Sequence, residues 1–319
     1  MTPDLSIIIT NYNEREYLRS VLQALRKEFS ASPEILVVDN ASQDGSVGMV
    51  RAEFPEVTLI ESPTNLMYGK GNNLGLARAT GSWLMILNPD VQWTPGTLAK
   101  FIATAQQRPN LDLAAPRLLY RDGRTQVNAH HAWPSLWTVF VDYCLPLQQL
   151  LMRYSHHPYQ LPVADHTTTR TIAHATGACL LVRRDVVRDV GPFDPQFTMY
   201  LEETDWQARM AAAGYQSWLL GETAITHFGA AQKSFAQASR HYLWGLRRYA
   251  EKHWTVAQQA ALPPVVMGAT LISIITLLLL FLPSFFVGAT GRRVRHYFLV
   301  YLKLVLRLLW WPHAVPKTS

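Results

Sequence analysis

The sequence is short of charge and of cysteine, and no basic leader precedes its first apolar run. Lys, Arg, Asp and Glu make up 16% of 319 residues, against about 25% in an ordinary globular chain. That deficit calls for an apolar surface or segment. Ten tryptophans and 49% hydrophobic residues exclude intrinsic disorder. The two cysteines, Cys144 and Cys179, have no Cys-x-x-Cys or Cys/His spacing, so neither a disulfide framework nor a zinc site is supported. A reducing compartment is the default. The opening MTPDLSIIITNYNE reads as a strand rather than a secretory signal, which places the bulk of the protein in the cytoplasm.

Acid is nearly missing from the end of the chain. From residue 236 onward ten basic residues face one acid, Glu251, giving a tail of +9 on a body of −3 within a total of +6. Between Lys252 and Arg292 no charged residue occurs, and 265–282 (VVMGATLISIITLLLLFL) has only Thr and Ser as polar side chains. Eighteen such residues reach the threshold for crossing a bilayer. A buried core helix shares that composition, but Arg292, Arg293 and Arg295 follow as interfacial anchors and favour a membrane. Basic residues among apolar runs point to an anionic bilayer rather than to nucleic acid. Residues 297–311 carry Lys303 and Arg307 on one face and read as an amphipathic helix in the interface. Pro283 splits or kinks the stretch before it. A single crossing would leave the basic tail outside, so a re-entrant or monotopic hairpin is favoured.

Residues 5–87 alternate apolar strands with amphipathic helices. Strands are expected at 5–10, 34–39, 57–61 and 83–87, with helices at 14–29, 45–54 and 69–79. This is the pattern of a parallel, doubly wound sheet covered on both faces, with ligands at the carboxyl ends of the strands. Those ends carry Thr10-Asn11-Tyr12-Asn13, Asp39-Asn40-Ala41-Ser42 and Asn88-Pro89-Asp90. Asp122-Gly123 reads as a hairpin turn. Across 130–162, Trp133, Trp137, Phe140, Tyr143, Leu147 and Leu151 recur every three or four residues. They describe one amphipathic helix, packed on the core or facing a membrane or acceptor. Residues 171–184 return to strand character, and 202–213 form a helix stopped by Gly214.

Three acidic constellations bear chemistry. Asp39 ends a buried strand before a Ser/Asp/Gly turn and is placed to accept hydrogen bonds from a sugar or base, whereas Asp44 is better read as a helix cap. Asp90 stands in a Pro-fixed turn, placed to reach a divalent cation on a diphosphate; alone, Asn-Pro is an ordinary turn. Glu202, Glu203 and Asp205 open a helix, where the macrodipole favours acids without any function. Their density behind Phe197 and Tyr200 suits a general base toward a hydroxyl.

In order, SIIITNYNE, VVDNASQDGS, NLMYGKGNNLGLARATG, LNPDV, GACLLVRRDVVRDVGPFDPQF, YLEETDWQARMAAAGY and HFGAAQKS resemble the family 2 glycosyltransferases of the GT-A fold, within them the bacterial rhamnosyltransferase-like branch. The resemblance covers about residues 5–235. It implies inverting transfer of a sugar from a nucleoside diphosphate, with Mg²⁺ or Mn²⁺. By position, Thr10, Asn11, Asn13 and Asp39 would surround base and ribose, and Asn65, Gly71 and Asn73 would lie beneath the donor. Asn88 and Asp90 match the two ends of the metal-binding Asp-x-Asp motif, with Asn in place of the first acid. Glu203 matches the catalytic base, an Asp in most relatives, with Asp205 as rival. His227 matches a histidine near the metal or diphosphate, and Met67 replaces a frequent glycine.

The expected organisation is therefore a GT-A domain at 1–235, with an aromatic helical insertion at 130–165, and a membrane-association region at 236–319. The branch implies L-rhamnose from dTDP-rhamnose, passed to a polyprenyl-diphosphate-linked glycan at the cytoplasmic face of a bacterial plasma membrane. A UDP-hexose or UDP-GlcNAc donor is the alternative; a non-catalytic membrane scaffold is the rival from another class. A polymer-exporting synthase would show more spans and a QxxRW-like motif. A nucleotidyltransferase would put a Gly-rich basic loop where TNYNEREYL stands.

Overall fold

The four expected strands form as Leu5–Asn11 (β1), Glu34–Asp39 (β2), Thr58–Glu61 (β3) and Trp83–Leu87 (β4). The computed structural model describes residues 4–29, 33–153, 163–229 and 235–281, with His296 and Leu299. Pro283, Arg292, Arg293, Arg295 and most of the 297–311 stretch lie outside the described residues, so the hairpin and interfacial-helix readings rest on sequence. The remaining strands are Val91–Gln92 (β5), Leu113–Leu119 (β6), His130–His131 (β7), Thr169–Ile172 (β8), His174–Ala175 (β9), Cys179–Arg183 (β10) and Ser217–His227 (β11). Helices are Arg15–Glu28 (α1), Ser46–Glu53 (α2), Met67–Arg78 (α3), Thr97–Gln106 (α4), Leu136–Tyr143 (α5), Leu145–Arg153 (α6), Arg184–Val190 (α7), Glu202–Ala212 (α8), Phe235–His253 (α9) and Val256–Phe281 (α10).

Among the described residues, nine strands make one sheet in the order β3-β2-β1-β4-β10-β6-β11-β5, with β8 on β11, and β7 pairs β9 separately. The pairs β3-β2, β2-β1, β1-β4 and β6-β11 are parallel. Alternate residues of each central strand feed two cores, as a sheet covered on both faces requires. Ile7, Ile9, Val37 and Met85 pack with Leu18, Leu22 and Leu25 of α1 and Phe101 of α4. Ile8, Leu36, Val38 and Ile86 pack with Leu76 of α3 and with Phe193 and Trp206. Helix α3 lies close on β1 because two glycines face it. A Cβ on Gly71 would stand 2.6 Å from Thr10 Cγ2, and one on Gly75 2.3 Å from Ile8 Cγ2.

The sheet departs from the parallel pattern at β10, which runs antiparallel to both β4 and β6. Its direction brings its amino end, rather than its carboxyl end, to the site: Cys179 pairs with Leu87, and Asn88 N–H donates to Ala178 O at 2.9 Å. The Asp122-Gly123 turn forms as expected, with Gly123 at φ +81° and Tyr120 paired to Arg124.

The chain separates into two units. The first takes in residues up to Trp133 and 160–232, and the second takes in 134–159 with 233–317. The aromatic insertion is therefore divided. Trp133 stacks on His174 within the first unit, and the rest is grouped with the C-terminal helices. The single helix expected there is two, broken at Cys144, because the ring of Pro146 would clash with the carbonyl four residues earlier in a continuous helix. Ser135 starts α5 through a capping box with Thr138. In the second unit, α10 runs through Pro263 and Pro264, which immediately precede the apolar run. One of its faces buries Val266, Ala269, Thr270, Ser273 and Leu277, where Ser273 Oγ accepts from Leu145 N–H and donates to Tyr143 O. The other face exposes Leu271, Ile272, Ile275, Leu278 and Leu279.

Candidate active site

The loops after β1 and β2 are tied together through Asp39 and Ser42. Asp39 is 2% exposed, and both its oxygens accept: Oδ2 from Asn11 Nδ2 at 3.0 Å, Oδ1 from Ser42 N–H at 2.8 Å. Asn11 Nδ2 also donates to Ser42 Oγ, which takes the Asn13 N–H as well. Asn13 Oδ1 accepts from Gln43 N–H. Asp44 takes the N–H groups of Arg15 and Ser46, a cap shared by the starts of α1 and α2. Burial pushes its carboxyl up, but hydrogen bonds from Ser46 and Arg15 outweigh burial and hold it below the ordinary value. Two buried acceptors are left over here, Asn11 Oδ1 and Asn40 Oδ1. Buried acceptors without donors are costly, and a nucleoside's hydroxyls and base N–H groups are donors of the right kind.

Thr10, Asn65 and Gly71 join this cluster through α3. Thr10 Oγ1 donates to Asn72 Oδ1, Asn65 Oδ1 accepts from Met67 N–H, and Met67 O accepts from Asn40 Nδ2. Gly71 acts by having no side chain, its position facing Thr10 and Asn40. Asn73, expected beneath the donor, makes its bonds elsewhere. Its amide is committed to the backbone of Phe193, donating to the carbonyl at 2.8 Å and accepting from the N–H at 3.0 Å. Met67 sits at φ +65°. Among the described residues, Asn13, Ala41, Tyr200 and Leu201 are the other non-glycine residues at positive φ. All five flank loops or helix starts at this end of the sheet, where backbone strain accompanies function.

The second cluster is built where β4 ends and β11 returns. Antiparallel pairing of His227 with Val91 sets the imidazole beside Asp90. His227 Nε2 lies 3.5 Å from Asp90 Oδ1 and 3.5 Å from Asn88 Nδ2. Asp90 is 5% exposed, and Oδ1 is buried without a hydrogen bond. A Cβ on Gly229 would run into Asp90 Oδ2, so any side chain at this position must push the Asp90 carboxylate aside. A carboxylate and an imidazole, with an amide that presents its oxygen when turned over, fit a divalent cation that draws its other ligands from a diphosphate and water. Among the described residues no group of three or more His, Cys, Asp or Glu is placed to hold a metal unaided.

The third cluster is at the start of α8, behind two successive left-handed residues, Tyr200 and Leu201. Burial raises the Glu203 carboxyl above its ordinary value, against the pull of N–H groups including that of Gly177. Tyr68 donates to Gly177 O at 2.6 Å, and burial, with Glu203 and Glu202 nearby, pushes its phenol well above 10.0. Gly177 and Ala178 thus link two clusters, one touching Glu203, the other holding Asn88. Asp205, expected as the rival base, lies two residues further along the helix. It is fully buried and paired with Arg209 at 2.9 Å, whose guanidinium also holds Val190 O and Pro192 O. Gln207 on the same helix clamps the backbone of Ala175 from both sides. Sequence reasoning gave no role to Tyr68 or Gly177, although both stand in stretches that carry the family resemblance, or to Gln126, which stands in none of them.

The same arrangement has known relatives. The family model described as glycosyl transferase family 2 matches residues 6–191, from β1 to the end of α7, more than half of the chain. A Mycobacterium tuberculosis protein, N-acetylglucosaminyl-diphospho-decaprenol L-rhamnosyltransferase, is 26% identical over 242 residues, covering 71% of this chain and 76% of its own. The mannosyltransferase PcManGT of Pyrobaculum calidifontis, solved with GDP-Man and Mn2+, superposes with a TM-score of 0.58 at 17% identity, over 98% of this chain and 89% of that one. GalNAc-T7, solved with UDP, GalNAc and Mn2+, gives 0.57 at 14% identity over 78% of this chain, which spans about half (48%) of that structure. The architecture is the GT-A fold, and the chain belongs to glycosyl transferase family 2.

Proposed function

We propose that this glycosyltransferase moves L-rhamnose, with inversion, from dTDP-rhamnose to a hydroxyl of a polyprenyl-diphosphate-linked glycan at the cytoplasmic face of a bacterial plasma membrane. The observation that carries the reaction class is the pairing of two unlike carboxylates through Gly177-Ala178. Glu203 is a desolvated acid with its pKa raised toward that of a useful base. Asp90 is a buried acid with an oxygen left open beside His227. In this reading Glu203 takes the acceptor hydroxyl's proton as that oxygen attacks the anomeric carbon. Asp90, His227 and the Asn88 amide oxygen would hold Mg²⁺ or Mn²⁺. The cation, when bound, neutralises charge on the departing nucleoside diphosphate. Asn11 and Asn40 would take donor hydroxyl or N–H groups at their open oxygens. Asp39 fixes Asn11 in place.

The name of the mycobacterial relative supports rhamnose and a lipid-linked acceptor. Mn2+ and a nucleotide or nucleotide sugar in two solved structures of the same fold support the cation and the donor class. Membrane association is supported by α10, whose Val256–Leu279 span is long and apolar enough to cross a bilayer and mostly unburied, by exposed Trp137 on α5, and by the basic tail. The test is label transfer from dTDP-rhamnose, UDP-GlcNAc, UDP-galactose, UDP-glucose or GDP-mannose into the lipid fraction of membranes containing the protein, with Mn²⁺, Mg²⁺ or EDTA. Cation-dependent labelling from dTDP-rhamnose, lost in Asp90→Ala, is expected. Labelling from another donor removes the rhamnose assignment. No labelling and no nucleotide binding removes the enzyme reading.

A further inference from the structure

Gln126 is 2% exposed and lies between the β6 hairpin and the end of β11. Its backbone is fixed by Leu118 O, which takes its N–H at 2.8 Å, and by Ala129 N–H, which donates to its carbonyl at 3.0 Å. The side-chain Nε2 donates to Leu119 O at 2.9 Å and to His227 O at 2.7 Å. Turning the amide over would set Oε1 against both carbonyl oxygens, four acceptor lone pairs with no proton among them, so its orientation is decided by its partners. Oε1 therefore faces His227 Nδ1, at 3.3 Å. An amide oxygen only accepts. Nδ1 must carry the proton, and a neutral imidazole then has its lone pair on Nε2.

Nε2 is the atom that faces Asp90 Oδ1 at 3.5 Å and, also at 3.5 Å, Asn88 Nδ2, a donor that a bare Nε2 can accept from. Left to itself, an imidazole beside a carboxylate is drawn to the opposite tautomer, with Nε2–H donating to the carboxylate oxygen. That proton would occupy the space between the two ligand atoms. We propose that Gln126 is a positioning residue, which holds His227 in the tautomer whose Nε2 carries the lone pair that a divalent cation at Asp90 would take. The proposal rests on reading Asp90 and His227 as cation ligands. Glutamine suits the position because it offers two donors and one acceptor at the end of a neutral side chain. Glutamate would lose both donors, and methionine would lose all three interactions.

The test begins on the metal-free, full-length protein, with ¹⁵N-labelled histidine and His227 assigned by comparison with His227→Ala. A protonated Nδ1 and a pyridine-type Nε2 are expected in the parent, and an inverted or mixed tautomer in Gln126→Met and Gln126→Glu. Mn²⁺ binding in the presence of dTDP or UDP is then read by electron paramagnetic resonance. A ~10–100-fold weaker affinity is expected in both Gln126 variants, the usual cost of losing the partner that orients a ligand. A protonated Nε2 in the parent overturns the proposal without any variant having to fold. Equal Mn²⁺ affinity in parent and variants removes the positioning role and leaves the cation site standing. A parent that binds no Mn²⁺ with either nucleotide removes the cation site, and the proposal with it.

Discussion

Replacing Glu203 by Gln keeps the side chain's shape and removes its capacity to take a proton. Turnover should fall by ~10²–10⁴-fold, the range that a positioned general base contributes. Stability should move the other way. Burial raises the Glu203 carboxyl in the folded state, so the stability linked to it is full below about pH 4.3, the unfolded value, and is lost as pH rises toward the folded value. The amide has no such loss. Variant and parent should melt together in acid, and the variant higher near neutral pH. Asp205→Ala, two residues on, should behave in the opposite way. Asp205 is fully buried, and the Arg209 side chain that it pairs with is 22% exposed. Stranding a buried partner costs ~3–5 kcal/mol, and partial solvation of Arg209 puts this case at the lower end. About 3 kcal/mol lowers the midpoint by ~6–12 °C in a unit of this size, with turnover per folded molecule kept. Calorimetry across pH and single-turnover kinetics read both. Unchanged turnover in Glu203→Gln, or a fully stable but inactive Asp205→Ala, would refute the division of labour on α8.

Gly229→Ala should cost ~10-fold or more in Mn²⁺ affinity with little loss of fold, since the new methyl meets the free end of the Asp90 carboxylate; Mn²⁺ titration with UDP reads it. Asn73→Ala should destabilise by about 2–4 kcal/mol, because it strands the N–H and carbonyl of Phe193; the KM for donor should stay that of the parent, which a direct donor contact would contradict. Gly71→Ala should destabilise by ~1–3 kcal/mol through overpacking against Thr10, and also weaken donor binding by shifting Asn40. Ile275→Glu combined with Leu279→Glu, both on the exposed face of α10, should release the protein from anionic vesicles in a flotation assay without lowering its melting temperature.

The βα units were legible because their signals are local. Apolar runs of five to seven residues ending in Asn, Asp or Ser are strands feeding turns, and the 83–87 boundary agrees residue for residue. The direction of β10 was not legible. CLLVR is equally apolar read either way, and only its pairing with β4 and β6 sets the orientation. The break at Cys144 was written in Pro146 but masked by an unbroken aromatic periodicity on either side. At the site, residue type identified the chemistry, and partners decided which residues are available for it. Asp205 and Glu203 look alike in EETDW; one is claimed by Arg209 and the other is held by main-chain N–H groups near Tyr68. Gln126, in TQVNAH, carries no motif at all, and its importance lies wholly in contacts 101 residues away.

Asn73 and Gln207 each grip one residue's N–H and carbonyl at once. A carboxamide that does this is a peptide group on a stalk, supplying a rung of main-chain ladder where no strand could be threaded. Only Asn and Gln can do so, which makes these two points chemically perishable. Spontaneous hydrolysis of either amide would exchange a donor for an acceptor and set a carboxylate against a carbonyl. The segment that presents Glu203 would come loose while the sheet beneath it remained intact. Preparations of this enzyme should therefore lose activity on storage before they lose their far-ultraviolet dichroism.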